Sequence, residues 1–267
     1  MESLIVNSGI VALLILMYVT GVFVIAFLRE DNSIMDIAYG PAFLFSIGGA
    51  TLLTGNFTLS PLIISSGIAL WSIRLSTRIF QKNHGKPEDF RYAKWRSTWN
   101  ERGRWYFFIR SYLQINILQG VIIFLVALPG IVALSTVSNP SPLALYFGTA
   151  IFLFGLTYET IADWQLDRFI ANKRSGTENA NLMKTGLFAY SRRPNYFGET
   201  LIWWGLAIIV SPLPYGWIAF VSPIVITFIV TKVTGPMLEQ AFLEKFPEEY
   251  NLYMKQVNYL VPGPRRD

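Results

Sequence analysis

The sequence predicts an all-α polytopic membrane protein of seven transmembrane helices, with its N-terminus outside and its C-terminus in the cytoplasm. Three observations carry this prediction. Of 267 residues, 52% are hydrophobic and only 15% charged, too apolar for an ordinary soluble domain. Four long blocks contain no Asp, Glu, Lys or Arg: Leu4–Leu28, Ile37–Ile73, Ser111–Tyr158 and Thr200–Thr231. All 22 lysines and arginines fall outside those blocks, on one face if the spans alternate, and the positive-inside rule makes that face cytoplasmic.

A crossing helix needs roughly 20 apolar residues. Leu4–Leu28 supplies one span, and the absence of a basic n-region and a small-residue cleavage site makes it a retained helix, not a signal peptide. Ile37–Ile73 holds two spans parted by the turn-rich "TGNFTLSP" at 54–61. Ser111–Tyr158 holds two more, parted by "SNPSP" at 138–142, and Thr200–Thr231 a short pair parted by "SPLPYG" at 211–216. The "NFT" sequon at 56–58 sits too near the membrane to be a good glycan acceptor. No internal repeat divides the chain, so residues 1–267 read as one domain, 1–110 giving the substrate-side spans and 111–267 the cofactor half. With no cysteine and a single histidine, His84, a disulfide framework, a metal centre and a Ser-His-Asp triad are all disfavoured. The net charge of +5 is dispersed beside the spans and does not point to nucleic acid.

Polar chemistry is confined to four segments of the charged face. In "REDNSIMDIAYG" (29–40), Asp31, Asn32 and Ser33 read as a helix cap. Asp36, at the edge of an apolar span with Tyr39 beyond it, is costly unless paired or functional. In residues 74–99, Arg74 and Arg78 share a helix face. Alone they read as snorkelling residues, and the turn from Asn83 to Lys86 with "EDFRY" reads as a basic interfacial loop. In "YETIADWQLDRF" (158–169), Glu159, Asp163 and Asp167 recur every four residues beside Arg168, a stripe of acids that needs cationic partners or a polar ligand. In "GLFAYSRRPNYFGETLIWWG" (186–205), Arg192, Arg193 and Pro194 precede a helix whose first turns carry Asn195, Tyr196 and Glu199. A helix start offers free N–H groups and a positive dipole end, and arginine adds bidentate recognition, so this passage reads as an anion-binding helix mouth.

That passage, with "FPEEYNLYMKQVNYLVPGP" at 246–264, resembles the C-terminal half of the steroid 5-alpha-reductase superfamily, and in particular a bacterial branch of unknown function. It is also similar to isoprenylcysteine carboxyl methyltransferases and phospholipid methyltransferases, which share the R-x-P-x-Y signature and the EEY segment. "DNSIMDIAYG", "GKPEDFRY", "YETIADWQ" and "SRRPNYFGE" occur in the order of the bacterial branch, so the resemblance covers nearly the whole chain. It implies a cytoplasm-facing NADPH pocket. Gly186, Leu187, Phe188, Tyr190, Asn195, Gly198 and Glu199 match the family pattern, with Asn195 and Glu199 at the nicotinamide end. Asn83, Gly85, Lys86 and Pro87 match its phosphate-binding loop, with lysine in place of arginine, and Asp163 and Arg168 match an acid and a base after the fifth span. Arg74, Arg78, Glu159, Arg192, Arg193 and Tyr196 complete the candidate cofactor set.

The implied activity is NADPH-dependent reduction of a conjugated C=C bond in a steroid-like or other lipid enone, the chemistry of a 3-oxo-5-alpha-steroid 4-dehydrogenase. Asp36, Tyr39 and Glu199 are the candidate catalytic residues, with Asp36 or Tyr39 donating a proton near the carbonyl. The Gln-Glu pair and third-span tyrosine of the steroid reductases have no counterpart, and Trp71, Ser72 and Arg74 occupy the third span instead. The alternative is an S-adenosylmethionine-dependent methyltransferase of a lipid or prenylated substrate, although the Glu-Glu pair of those enzymes is here Leu238-Glu239. A channel or transporter would place polar groups near mid-membrane, whereas these stay at one face. The remaining expectations are a lipophilic substrate drawn from the bilayer, membrane lipids as neighbours, no metal, a monomer, and a bacterial cytoplasmic membrane.

Overall fold

The structure, a computed structural model, describes residues 1–83, Gly85 and residues 87–266, with Phe90 given by its backbone alone. The described residues contain no strand beyond one isolated bridge between Ser191 and Asn258. Among the described residues six helices are long and apolar enough to cross a membrane, so the chain is an all-helical membrane protein. The chain separates into two compact units, residues 1–141 with 210–221, and residues 142–209 with 222–267.

The first unit opens with α1 (Glu2–Arg29), which buries Val11, Ile15, Val19, Val22, Phe23 and Ala26 along one face and stops at Glu30 in the left-handed conformation. In its first turns the buried Asn7 donates to the Leu134 carbonyl at 3.0 Å, satisfying a helix-end acceptor that has no intrahelical partner. The second span, α2 (Ile34–Thr54), carries Pro41 and, just beyond it, a widened turn over Leu44–Gly48. Proline removes one rung of the helix ladder, and an inserted wide turn is a usual accommodation. α3 (Leu59–Asn83) lies so close to α2 that a Cβ on Gly40 would stand 2.5 Å from Ser76 Oγ and 3.1 Å from the Ser72 carbonyl. A short interfacial helix, α4 (Phe90–Asn100), leads to α5 (Arg104–Val126). The next helix, α6 (Leu128–Leu134), is buried at all seven positions and forms part of the unit's core.

The second unit begins with α7 (Pro142–Arg174), followed by a single tight turn at Gly186–Ala189, then α8 (Pro194–Val210). It also holds α9 (Gly216–Lys245) beyond its first turns, and α10 (Pro247–Gln256). α7 and α8 pack backbone to backbone on four glycines. A Cβ on Gly155 would stand 2.8 Å from the Gly198 carbonyl, and one on Gly148 would stand 2.7 Å from that of Gly205. The glycines are seven residues apart in each helix, so one antiparallel register serves both contacts. Gly186 is required twice over: its φ is +61°, and a Cβ there would meet the Gln165 side chain at 2.5 Å.

Candidate functional site

The start of α8 is held by the C-terminal tail. Arg192 N–H donates to the Asn258 carbonyl at 2.8 Å and Arg193 N–H to the Tyr259 carbonyl at 3.1 Å. The buried Ser191 hydroxyl donates to the Leu260 carbonyl at 2.8 Å, and Gly263 N–H returns to the Tyr190 carbonyl at 3.0 Å. Two further tyrosines fasten the arrangement: Tyr253 donates to the Phe188 carbonyl at 2.6 Å, and Tyr259 to the Val230 carbonyl within a widened turn of α9. The segments 186–205 and 246–264, far apart in sequence, are thus one structural element. Burial raises the Tyr250 and Tyr253 phenols and pushes Tyr259 up to about 12, while the nearby arginines pull the other way without prevailing. All three therefore remain protonated donors at neutral pH.

The adjacent arginines divide their work. Arg192 is committed to the fold: its Nε and Nη2 donate to Glu239 Oε1 at 2.8 and 2.6 Å, and its Nη1 to the Val257 and Met254 carbonyls at 2.6 and 3.1 Å. Tyr250 donates to the same Glu239 oxygen at 3.3 Å. Arg193 sits over the Phe242 ring, 5.4 Å from its centroid, and its buried Nε and Nη2 have no hydrogen-bond partner. The Arg193 carbonyl accepts the first bond of α8 from Phe197 at 3.2 Å, which makes Arg193 the N-cap and Pro194 the first helical residue. An arginine side chain carries no acceptor for the N–H groups of the first turn. Arg193 thus joins unpartnered guanidinium donors to the residue at which the positive helix end begins, a combination suited to an anion.

The other second-unit candidates spread around this mouth. Glu159 and Asp163 are both 4% exposed, and a Cβ on Gly198 would stand 2.6 Å from that of Glu159, so the acidic stripe of α7 packs against the second turn of α8. Asp167 and Arg168 are exposed, with Arg168 lying over the Trp164 ring at 5.5 Å, on the outward side of the stripe. Asn195 and Tyr196 are half-buried in the first turn. Glu199 accepts from Trp203 Nε1 at 3.2 Å, one turn on. The Tyr190 side chain is 54% exposed, and only its carbonyl takes part in the tail contacts.

In the first unit the candidates form a separate group. Asp36 Oδ1 accepts from Tyr92 Oη at 2.6 Å and Oδ2 from Arg91 Nη2 at 3.2 Å. Asp89 caps α4 by accepting from Arg91 N–H at 3.0 Å, and Glu88 joins the Asn32 N–H at 2.8 Å to Arg96. The "PEDFRY" segment is therefore a latch closed on the start of α2. Tyr39 lies edge-on to Phe43 and Trp71, and Arg74 and Arg78 are half-buried on α3, which ends at Asn83. Lys86, with His84, lies outside the described residues. Burial and then the charge of Asp36 hold the Tyr92 phenol above its ordinary range. Burial alone would raise Asp89, but the hydrogen bonds and charge of Arg91 hold it below the ordinary 3.8. Its contribution is full above pH 3.8 and is lost as pH falls through the lower folded value. Tyr92→Phe is expected to cost about 1–2 kcal/mol, a hydrogen bond to a carboxylate discounted for partial exposure. It should also open the latch to trypsin at Lys94 and Arg96. An unchanged digestion pattern would mean that the latch is not held by this bond.

Sequence reasoning missed Tyr92, Glu239 and the tail tyrosines as parts of these groups. The seven-residue glycine spacing was visible, in Gly148 and Gly155 and again in Gly198 and Gly205, and marks the close helix pair.

A family model described as "Protein of unknown function (DUF1295)" matches residues 22–257. The chain is similar to an uncharacterised protein of Schizosaccharomyces pombe, C594.04c, at 26% identity over 220 residues. That match covers 72% of this chain and 60% of the yeast protein, so the chain corresponds to less than two thirds of that relative. No solved structure matches. The matched span takes in the latch, the acidic stripe, the four glycines and the arginine pair, and the chain belongs to the DUF1295 family, a steroid 5-alpha-reductase-like group.

Proposed function

We propose that the protein is a membrane-embedded reductase that uses NADPH to reduce a C=C bond conjugated to a carbonyl in a steroid-like or other lipophilic enone. The observation that carries the reading is Arg193, whose buried Nε and Nη2 lack an acceptor at the N-terminus of α8. A buried guanidinium is costly until an anion satisfies it, and a dinucleotide phosphate is such an anion. Arg193 would hold a phosphate, with Tyr196 beside it, and Glu159 and Asp163 would face the hydroxyl groups. Asn195 and Glu199 would orient the carboxamide end of the cofactor. When bound, NADPH supplies the hydride. Among the first-unit candidates for proton donation, both Asp36 oxygens are already engaged, by Tyr92 and Arg91, so Tyr39 Oη is the proposed donor to the carbonyl oxygen. Arg74, Arg78, Asn83, Lys86 and Arg168 rest on the family resemblance. α8, at 17 residues about 25 Å long, is read as a seventh, short span. With seven spans the charge distribution sets the N-terminus outside and the helix mouth towards the cytoplasm.

The test is a thermal-shift titration of the detergent-solubilised protein with NADPH, NADH and S-adenosylmethionine, alongside Asn195→Ala and Glu199→Ala. The proposal expects a rise in melting temperature with NADPH that is weaker with NADH and reduced in both variants. A rise with S-adenosylmethionine instead would turn the assignment to methyl transfer.

A further inference from the structure

The outer seam between α1 and α5 carries an apolar furrow of three successive cavities that the proposed chemistry does not use. The first is a cavity of about 210 Å³ between Ile15, Leu16 and Val19 of α1 and Ile117, Gly120 and Phe124 of α5. Gly120 makes the room, since a Cβ there would touch Ile15 and Val19 at 3.4–3.6 Å. The furrow continues as a second cavity of about 230 Å³ lined by Phe23, Val24, Phe27, Phe108 and Tyr112, where the Thr20 and Tyr112 hydroxyls bond to each other at 2.9 Å. It ends in a third, of about 430 Å³, lined by Phe27, Arg104, Trp105 and Phe108.

Only this last cavity carries charge. Arg104 is exposed, its Cζ lies 5.8 Å above the Phe27 ring, and Trp105 beside it is 79% exposed. Tryptophan beside arginine at a span's end is the signature of the headgroup level. From Ala12 to Leu28 the furrow follows α1 for about 24 Å, longer than the acyl region of one leaflet. An apolar groove of that length closed at one end by a cation complements an amphiphile with an anionic head.

We infer that the α1–α5 seam is a binding site for one anionic phospholipid, its phosphate on Arg104 beneath Trp105 and an acyl chain running past Phe27 and Val24 towards Gly120. Neither the fold of the second unit nor its cofactor enters this assignment, so the two proposals fail separately.

Native mass spectrometry of the full chain in detergent, with added phosphatidylglycerol or phosphatidylcholine, tests it. The expected spectrum is the 30.3 kDa chain carrying one phosphatidylglycerol, retained about fivefold more than phosphatidylcholine. Arg104→Gln should abolish that preference without displacing phosphatidylcholine, and Arg104→Lys should keep part of it. Val24→Trp, on the outward side of the second cavity, should reduce retention of both lipids while the thermal midpoint stays unchanged. Excess inorganic phosphate should not compete, because the chain supplies much of the affinity. Equal retention of the two lipids, an unaltered preference in Arg104→Gln, competition by free phosphate, or a lipid-free dimer closing the seam would each overturn the inference.

Discussion

Gly198→Ala is expected to lower stability by about 3 kcal/mol or more, a large effect for one methyl group. Its Cβ would stand 2.6 Å from Glu159 Cβ, 2.7 Å from Glu159 N and 2.8 Å from the Gly155 carbonyl. Two of those three atoms are backbone, so no rotation of a side chain relieves the overlap. The helices must part, and with them the second contact, at Gly148 and Gly205, because one rigid register serves both. The same separation would draw Glu159 away from the first turns of α8, so any affinity for a cofactor at that mouth should fall as well. The measurement is thermal unfolding of the detergent-solubilised protein, with Gly9→Ala as control. A Cβ on Gly9 meets nothing within 4 Å, and replacing glycine within a helix stabilises by up to about 1 kcal/mol. A Gly198→Ala protein that melts with the parent would show that α7 and α8 do not touch through their backbones.

Six of the spans were legible because a block without charge can be recognised residue by residue, and the turn-rich separators coincide with the ends of α2, α3, α7 and α9. α6 was not legible: Leu128–Leu134 is as apolar as a span, and only its burial at every position, with Pro129 opening it, distinguishes it from one. The widened turns in α2, α5 and α9 were also hidden, since wide turns depend on what packs beside the helix. At the site, Asp36 was legible as an acid that needed a partner. Its partners, Arg91 and Tyr92, lie 55 and 56 residues downstream and come to it only through the fold of the latch. The arginine pair shows the limit most sharply. Nothing in "SRRPNY" separates Arg192 from Arg193, because their different duties are set by Glu239, Val257 and Tyr259, which arrive from the far end of the chain.

That division of duty makes the second large prediction a contrast between neighbours. Arg192 and Glu239 are 9% and 16% exposed, so their pair is scarcely screened by solvent. Arg192→Ala would strand Glu239 with a single donor, Tyr250, and release the Met254 and Val257 carbonyls. Breaking one side of such a pair costs about 3–5 kcal/mol, and Arg192→Lys should recover only part of it because an ammonium cannot reproduce the fork. Arg193→Ala should behave in the opposite way. It removes a guanidinium whose Nε and Nη2 have no acceptor, and the loss of its contact with Phe242 costs at most about 1 kcal/mol. Its cost should appear in the ligand, as a loss of NADPH affinity of about tenfold or more, the worth of one charge-assisted contact to a phosphate. Melting curves with and without NADPH separate the two. Arg192→Ala should melt early in both conditions, and Arg193→Ala should melt with the parent alone but gain little from the cofactor. The reverse pattern would exchange their roles, placing the anion on Arg192 and the structural tie on Arg193, and the tail contacts that orient Arg192 would then have to open when ligand binds.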